Sequence, residues 1–203
     1  MRCRPPEFLA RIHPLRVTSV RAVILVVAAT ELELAGADGA KTLVSGLGPV
    51  EAAAATARAL ASDKPTAVVN VGIAGAKTLE PPAVVLGSEA IYCDIVADPG
   101  ALLPRVERVV ADAALLEAAQ RALPDAHVCP IATCASIGGG TACEVEAMEG
   151  FAVLRAAQLA GVPAVELRCV SNLVDEHDRS RWRFDDALAG LEGALRTVLA
   201  ELR

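Results

Sequence analysis

The sequence has few aromatic residues and no excess of positive charge. Phe, Trp and Tyr make up 2% of the 203 residues, and 19 Lys and Arg residues are outnumbered by 25 Asp and Glu residues, giving a formal charge of −6. Surfaces that bind nucleic acid need a basic field or a platform of aromatic rings. The composition therefore argues against a polymeric nucleic-acid partner.

Paired cysteines and long apolar runs are also missing. The six cysteines stand singly, without a C-x-x-C pair: Cys3, Cys93, Cys129, Cys134, Cys143 and Cys169. Such cysteines are typical of reduced, mostly buried side chains in a cytoplasmic protein. Beyond the N-terminal region, no stretch approaches the roughly 18 consecutive apolar residues that a membrane span requires. We therefore expect a cytoplasmic protein with no membrane partner.

The N-terminal region has the outline of a secretory signal, because early arginines precede the apolar run 22–29. That run is short, follows Pro14 and Arg21, and is needed as the first strand of the predicted sheet. We therefore interpret residues 1–20 as a disordered extension or as the product of an upstream start codon. Residues 21–203 are interpreted as one domain, which is long enough to bury a core without metal ions or crosslinks.

Apolar runs rich in β-branched residues alternate with helical patterns. A strand that is apolar on both faces is typical of a covered, largely parallel sheet. The predicted strands are 22–29, 66–72, 126–133 and 163–171, with a short strand in "TLVSG" (42–46), and the predicted helices are 49–62, 107–123, 150–161 and about 185–202. This alternation predicts a single α/β domain with a central, mostly parallel mixed sheet and helices on both faces.

In such sheets, ligands bind outside the carboxyl ends of the strands. Glu31 and Glu33 follow the first predicted strand, and glycine-rich stretches follow two others. The candidate residues in these stretches are Ser45, Gly46 and Gly48 in "SGLGPVE" and Gly72 in "NVGIAGA". Glycines let the backbone approach a ligand closely. The alternatives are acids that favour the first turn of a helix and glycines that only form tight turns.

Two further stretches carry candidate side chains. In "EVEAMEGFAV", Glu149 at a helix start can accept hydrogen bonds from both hydroxyls of a ribose, and Met148 offers a soft apolar surface. The alternative is a helix-start acid beside a core methionine. In "LRCVSNLVDEHDRSRW", Asn172 ends a strand and acids surround His177. One histidine among consecutive acids lacks the convergent geometry of a metal site, so we interpret 175–178 as a solvated turn and expect no metal.

Together these stretches resemble the purine nucleoside phosphorylase/nucleosidase superfamily and, within it, the futalosine hydrolase branch. The resemblance spans roughly residues 22–202 and includes "ATELE", "SGLGPVEAAAAT", "VVNVGIAGA", "SEAIYCD", "EAMEGFAV" and "GVPAVELRCVSN". Asn172 followed by an Arg-Trp-Arg segment points to the futalosine branch. The resemblance implies a nucleoside phosphorylase/hydrolase-like fold and a homo-oligomer. It also implies hydrolysis of futalosine to release hypoxanthine in the alternative menaquinone pathway, with no cofactor.

Residue roles also follow from this resemblance. Glu33 would activate the attacking water, Met148 would pack against the ribose, and Glu149 would hold its hydroxyls. The glycine-rich stretches would bind substrate. Asn172 stands where the related adenine nucleosidases carry an aspartate, and its amide N–H can donate to N7 or O6 of a 6-oxopurine such as hypoxanthine.

Several questions stay open from the sequence. Eleven residues separate Glu33 from Ser45, too few for the hairpin of the adenine nucleosidases, so Glu31 remains an alternative base. The candidate loops lack the arginines that bind phosphate in phosphorylases, which favours water. The other functions are a phosphorylase, a methylthioadenosine-type nucleosidase or a non-catalytic nucleoside-binding protein. By charge alone, the candidates for holding the benzoate-bearing end of futalosine are Arg168, Arg181 and Arg183.

Overall fold

The computed structural model describes residues 23–95, 105–138 and 140–203. The strands are β1 Ile24–Ala28, β2 Lys41–Val44, β3 Ala67–Ala76, β4 Val84–Tyr92, β5 Arg108–Val110, β6 His127–Thr133, β7 Val145–Ala147 and β8 Ala164–Leu173. The helices are α1 Pro49–Asp63, α2 Ala113–Ala122, α3 Gly150–Leu159 and α4 Phe184–Glu201, with 3-10 turns at Leu32–Leu34 and Arg179–Arg181. The interpretation of residues 1–20 lies outside the described residues.

The strands form one mixed sheet, as the sequence predicts, but the sheet also closes on itself. β3 runs parallel to β1 and β8 and antiparallel to β7. β4 pairs with β8, β6 and β5, and β6 pairs with β7. Following the pairs from β3 through β8, β4, β6 and β7 leads back to β3. This closure was not predicted, because the pattern of apolar residues does not say which strands are neighbours.

Helices cover both faces of the sheet, which confirms the predicted architecture. Val26 of β1 packs in a cluster with Leu195 of α4, whereas Leu25 packs in a cluster with Leu60 of α1 and Leu154 of α3. Because neighbouring residues of a strand point to opposite faces, this alternation places α4 on one side of β1 and α1 and α3 on the other. Strands buried in this way read as unbroken apolar runs.

The sequence-based boundaries fail at one helix and miss three strands, β4, β5 and β7. The helix predicted from residue 107 begins only at Ala113, because residues 108–110 pair with β4 as β5. Asp112 then caps the helix, its side chain accepting a hydrogen bond from the Leu115 N–H at 3.0 Å. β4 escaped detection because Gly87 and polar neighbours interrupt its apolar pattern at a shift of register. β7 is only three residues long.

The sheet brings three strand ends to one edge. β1, β3 and β8 are parallel neighbours, so their carboxyl ends lie together. In the β3–β8 pair the register shifts after Ala74, which places Gly75 opposite Asn172. On the adjacent face, α1 and α3 pack against each other, and their N-terminal ends bring Gly48 and Glu149 into hydrogen-bond contact. Among the described helices, none is long and apolar enough to cross a membrane.

Candidate active site

A cavity of about 340 Å³ opens at this edge of the sheet. Its volume falls within the usual range of small-molecule pockets. Its lining combines residues that follow β1, the ends of β3 and β8, the segment before α3, and the segment that leads into α4. Among the lining residues are Thr30, Leu32, Glu33, Leu47, Ile73, Gly75, Met148, Glu149, Ser171, Asn172, Arg179, Trp182, Phe184 and Leu188.

Glu33 reaches the cavity from the 3-10 turn after β1. Glu33 is 7% exposed, and three hydrogen-bond donors hold its carboxylate in place. Oε2 accepts hydrogen bonds from the Thr30 N–H at 3.0 Å and the Thr30 hydroxyl at 2.9 Å, and Oε1 accepts from the Ile73 N–H at 3.0 Å. The alternative base, Glu31, is exposed and does not line the cavity. The geometry therefore favours Glu33 as the group that meets a ligand.

Glu149 is held by the glycine-rich stretch before α1. Its Oε1 accepts a hydrogen bond from the Gly48 N–H at 3.0 Å, and Gly48 has a φ of 88°, a conformation that favours glycine. Ser45 turns back to donate to the Ala28 carbonyl, and neither Ser45 nor Gly46 lines the cavity, although Leu47 does. The stretch "SGLGPVE", which was predicted to bind substrate, therefore positions the Glu149 carboxylate, and its Leu47 lines the cavity. Met148 lies in the cavity wall beside Glu149.

Asn172 presents its amide at the carboxyl end of β8. Its Oδ1 accepts from the Ser171 hydroxyl at 2.8 Å, and its Nδ2 donates to the Leu173 carbonyl at 2.9 Å. An amide nitrogen carries two hydrogens, and this contact uses one of them. The other can donate to a ligand in the cavity that Asn172 lines.

Beneath the cavity lies Arg168, which is 1% exposed. Its Nε donates to Glu166 Oε1 at 2.8 Å and its Nη2 to Asn70 Oδ1 at 2.7 Å. Its Nη1 is 3.5 Å from both Glu149 Oε2 and the Ile73 carbonyl oxygen. A buried charge is tolerated only when it is paired and hydrogen-bonded, and Arg168 meets that condition on every nitrogen.

Burial and charge act in opposite directions on this cluster. Burial acts to lower the pKa of Arg168, but the surrounding carboxylates of Glu166, Glu149 and Glu33 outweigh it and raise that pKa above its ordinary value. For Glu166, burial raises the pKa, and the attraction of Arg168 offsets only part of that shift. Within the described structure, Glu166 Oε2 has no hydrogen-bond partner. Glu166 is therefore the member of the cluster that is least well satisfied as an ion.

Gly72 has a different role from the predicted one. It is buried and does not line the cavity, so its backbone does not meet a ligand there. A side chain at this position would collide with Arg168 Nη1 and would lie 2.8 Å from Glu33 Oε1. Gly72 is therefore the place where the guanidinium of Arg168 and the carboxylate of Glu33 come together.

Two acids outside the cavity lining, Glu144 and Asp178, have structural roles. Glu144 accepts from the Thr78 N–H at 2.7 Å and from the Thr78 hydroxyl and Leu79 N–H, hydrogen bonds that lower its pKa. Asp178 accepts from the Ser180 N–H at 3.0 Å and so caps the following 3-10 turn. In the part of the chain that the structure describes, no group of three or more His, Cys, Asp or Glu side chains is arranged to hold a metal ion.

The cysteines of the described residues are free thiols. Burial is the main cause that raises the pKa of Cys129 and Cys169 to about 11 and that of Cys134 to about 12. A thiol attacks as its thiolate, and thiols with such pKa values remain protonated at neutral pH. None of these three is prepared to act as a nucleophile.

Sequence reasoning missed the floor and one wall of the cavity. The floor contains Glu166, Arg168 and Asn70, and the wall contains Arg179, Trp182, Phe184 and Leu188. A signal for the floor was present, because "PAVELRCV" places two charged residues two positions apart in a strand that is otherwise apolar. Such a pair must share one face of the strand and satisfy each other.

The charge-based candidates for the benzoate end do not line the cavity. Arg168 lies buried beneath it. Arg181 contacts Glu176 at 3.4 Å, and Arg183 contacts Asp186 at 2.7 Å. Neither of these two exposed arginines belongs to the lining.

Comparison with known proteins identifies the family. The family model described as the phosphorylase superfamily matches residues 35–202. The chain belongs to the phosphorylase superfamily. Among curated members, it is 34% identical over 183 residues to futalosine hydrolase of Streptomyces coelicolor, covering 78% of this chain and 77% of that protein. It is also 44% identical over 57 residues to futalosine hydrolase of Thermus thermophilus, covering 28% and 25% of the two chains. The resemblance seen in the sequence is confirmed.

Solved structures of nucleosidases share the fold. S-adenosylhomocysteine nucleosidase of Streptococcus pyogenes superposes with a TM-score of 0.76 at 20% identity, covering 89% of this chain and 97% of that one. The 5′-methylthioadenosine/S-adenosylhomocysteine nucleosidase of Neisseria meningitidis superposes with a TM-score of 0.74 at 24% identity, covering 89% and 98%. The predicted nucleosidase-type α/β fold is therefore confirmed.

Proposed function

We propose that this protein is a nucleosidase that hydrolyses the N-glycosidic bond of futalosine and releases hypoxanthine. The observation that carries the proposal is the convergence of Glu33, Glu149 and Asn172 on one cavity. The relative of S. coelicolor, a futalosine hydrolase that matches most of both chains, supports the choice of substrate.

Each of these side chains has a chemical task in this reaction. Cleavage of an N-glycosidic bond develops positive charge on the sugar and negative charge on the departing base, and the enzyme gains rate by stabilising both. The Glu33 carboxylate takes a proton from the attacking water. Glu149 accepts hydrogen bonds from the ribose hydroxyls and places a negative charge near the developing cation. The free N–H of Asn172 donates to the purine as its electrons accumulate.

The charge of the cavity supports water as the nucleophile. Among the described lining residues, the ionisable side chains are Glu33, Glu146, Glu149 and a single arginine, Arg179. Phosphate recognition in proteins commonly relies on several arginines that bind its oxygens in pairs. An inorganic phosphate close to three carboxylates would be repelled. The buried Arg168 is already engaged by protein acceptors.

A direct assay of product release tests the proposal. The purified protein is incubated with futalosine, inosine or methylthioadenosine, with and without phosphate and with and without a chelator, and base release is followed by chromatography. We expect hypoxanthine from futalosine under all four conditions. A strict need for phosphate would identify a phosphorylase, and preferential release of adenine would identify a methylthioadenosine-type nucleosidase. No base from any substrate would identify a non-catalytic binding protein.

The cellular setting belongs to the same proposal. We propose a role in the alternative menaquinone pathway, a cytoplasmic location and assembly as a homo-oligomer. Loss of menaquinone in a deletion strain, restored by the gene and not by its Glu33→Gln form, tests the pathway. Light scattering of the purified protein tests the assembly, and a monomer at working concentration would contradict it.

A further inference from the structure

Arg179 lies on the cavity wall formed with Trp182, Phe184 and Leu188, which we call the outer wall. Its guanidinium carbon lies 5.6 Å from the centroid of the Trp182 ring. The Trp182 ring is itself fixed, because its Nε1 donates to the Glu176 carbonyl at 3.0 Å and it packs on Phe184 with centroids 5.3 Å apart. The outer wall therefore presents a positive charge on a firm aromatic support.

Neighbouring arginines of the same segment are neutralised, whereas Arg179 is not. Arg181 and Arg183 contact Glu176 and Asp186, respectively. Within the described ranges, Arg179 has no carboxylate within ion-pair distance, and its side-chain contact is the face of Trp182. A guanidinium that stacks on a ring keeps its N–H edges free, and those edges match the two oxygens of a carboxylate.

The rest of the cavity would reject an anion. Glu33, Glu146 and Glu149 are the other ionisable residues among its described lining, and each already accepts hydrogen bonds from the protein. An anionic group of a ligand placed beside these acids would meet like charge without donors. The outer wall is the part of the lining that offers a cation to such a group.

Apolar side chains line the same cavity as this cation. Leu32 and Leu47 line the cavity although they are 71% and 65% exposed, and Phe184 is 38% exposed. Exposed large apolar side chains around a cavity are typical of a ligand-binding surface. This part of the lining thus suits an apolar or aromatic group that ends in a negative charge.

We infer that Arg179 and Trp182 form a subsite for a carboxylate attached through an apolar group to the nucleoside. The inference rests on the proposed function and specifies the class of substrate as an anionic nucleoside derivative. Arg179 binds the carboxylate through its free N–H groups. Trp182 holds the guanidinium in place and packs against the apolar group.

The test removes one negative charge from the substrate and one positive charge from the protein, separately and together. Futalosine and the methyl ester of its benzoate group are assayed with the wild type, with Arg179→Met, and with Arg181→Met as the matched control, and kcat/KM is measured for each pair. We expect the wild type and Arg181→Met to prefer the acid over the ester by roughly tenfold or more, as for a hydrogen bond to a charged group. Arg179→Met should abolish most of that preference, mainly through KM for the acid.

The outcomes separate this inference from the proposed function. If the wild type releases hypoxanthine from futalosine but Arg179→Met keeps the same acid-to-ester ratio, the subsite is wrong and the nucleosidase stands. If Arg181→Met removes the preference as strongly, the effect reflects general surface charge, and the assignment to Arg179 is overturned. If the wild type releases no base from either compound, the proposed function itself fails.

Discussion

Arg168 and Arg179 are the same side chain in opposite settings. Arg168 is 1% exposed and meets Glu166, Asn70 and Glu149, whereas Arg179 is exposed and rests on the Trp182 ring. A buried guanidinium that has given its donors to the protein can only hold other groups in place. An exposed one without a carboxylate partner keeps its donors for a ligand. One guanidinium group therefore holds the buried floor together, and the other is available to bind the substrate at the outer wall.

The difference divides the cavity into two parts by function. Arg168 of the floor contacts the Glu149 carboxylate and attracts that of Glu33, the two groups that the proposed hydrolysis needs whatever the nucleoside carries. The outer wall belongs to a surface segment whose Arg179–Arg181 turn is held by exposed contacts. A segment of this kind can change without disturbing the buried floor. Substitutions in the outer wall can therefore alter which nucleoside is bound without loss of the proposed hydrolysis.

The largest effect is expected from Glu33→Gln, which keeps the size of the side chain but removes its basicity. We expect kcat to fall by roughly 10²–10⁴, the scale of lost acid–base catalysis. The matched control is Glu31→Gln, because Glu31 is exposed and absent from the cavity lining. Steady-state release of hypoxanthine measures both variants. A loss in Glu31→Gln with an unchanged Glu33→Gln would exchange the two roles.

The two arginines should differ next in their effect on stability. Arg168→Met leaves Glu166 and Glu149 without their buried cation, so the free energy of unfolding should fall by about 3–5 kcal/mol. Arg179→Met removes an exposed charge and should change it by no more than about 0.5 kcal/mol. Urea denaturation followed by circular dichroism measures both. Equal losses in the two variants would contradict the division into a structural and a ligand-binding arginine.

A smaller change is expected from Asn172→Asp. In the wild type, Nδ2 donates to the Leu173 carbonyl at 2.9 Å. In the variant, a carboxylate oxygen takes the place of this nitrogen. Two oxygens at this distance favour a protonated acid whose single proton is donated to the Leu173 carbonyl, so the variant has no donor left for N7 or O6 of a 6-oxopurine but can accept from a 6-amino group. We expect the ratio of kcat/KM for inosine to that for adenosine to fall by roughly tenfold, the effect of about one hydrogen bond. An unchanged ratio would show that Asn172 does not contact the base.

The sequence predicted the parts of this molecule that depend on local pattern. The buried strands around Val26, Val69 and Val165 are continuous apolar runs, and α4 has a regular apolar stripe, so both were found. Glu33, Met148, Glu149 and Asn172 follow strands or begin helices, and all four line the cavity at one edge of the sheet. What local pattern could not supply was contact across the chain. Gly48 and Glu149 are 101 positions apart, and Arg168 and Asn70 are 98 apart.

The role of Arg179 was missed for a related reason. Three arginines stand at alternate positions in "RSRWR", and charge alone does not distinguish them. They differ only in their partners, since acids neutralise Arg181 and Arg183 while Trp182 supports Arg179. Partner assignment needs the three-dimensional structure.

The smallest expected effect is a change in how stability depends on pH, and it concerns the floor alone. Burial raises the pKa of Glu166 in the folded protein above its value in the unfolded chain, which is about 4.3 for an ordinary glutamate. The contribution of Glu166 to stability is therefore complete below the unfolded pKa. It is lost as the pH rises through the folded pKa. Glu166→Gln keeps an oxygen that can accept from Arg168 Nε but cannot ionise. Relative to the wild type, this variant should therefore gain stability as the pH rises above about 4.3.

Urea unfolding of both proteins across this range measures the gain, with Glu192→Gln as the control. Glu192 is a partly exposed acid paired with Arg196 on the surface of α4, and because such surface ion pairs contribute little, its removal should give only a small difference at any pH. A constant difference between Glu166→Gln and the wild type would mean that Glu166 stays ionised beside Arg168 in the folded protein. Arg168 would then face three anions, Glu166, Glu149 and Glu33. In that case all three acids, and not Glu149 alone, would stabilise a positively charged sugar.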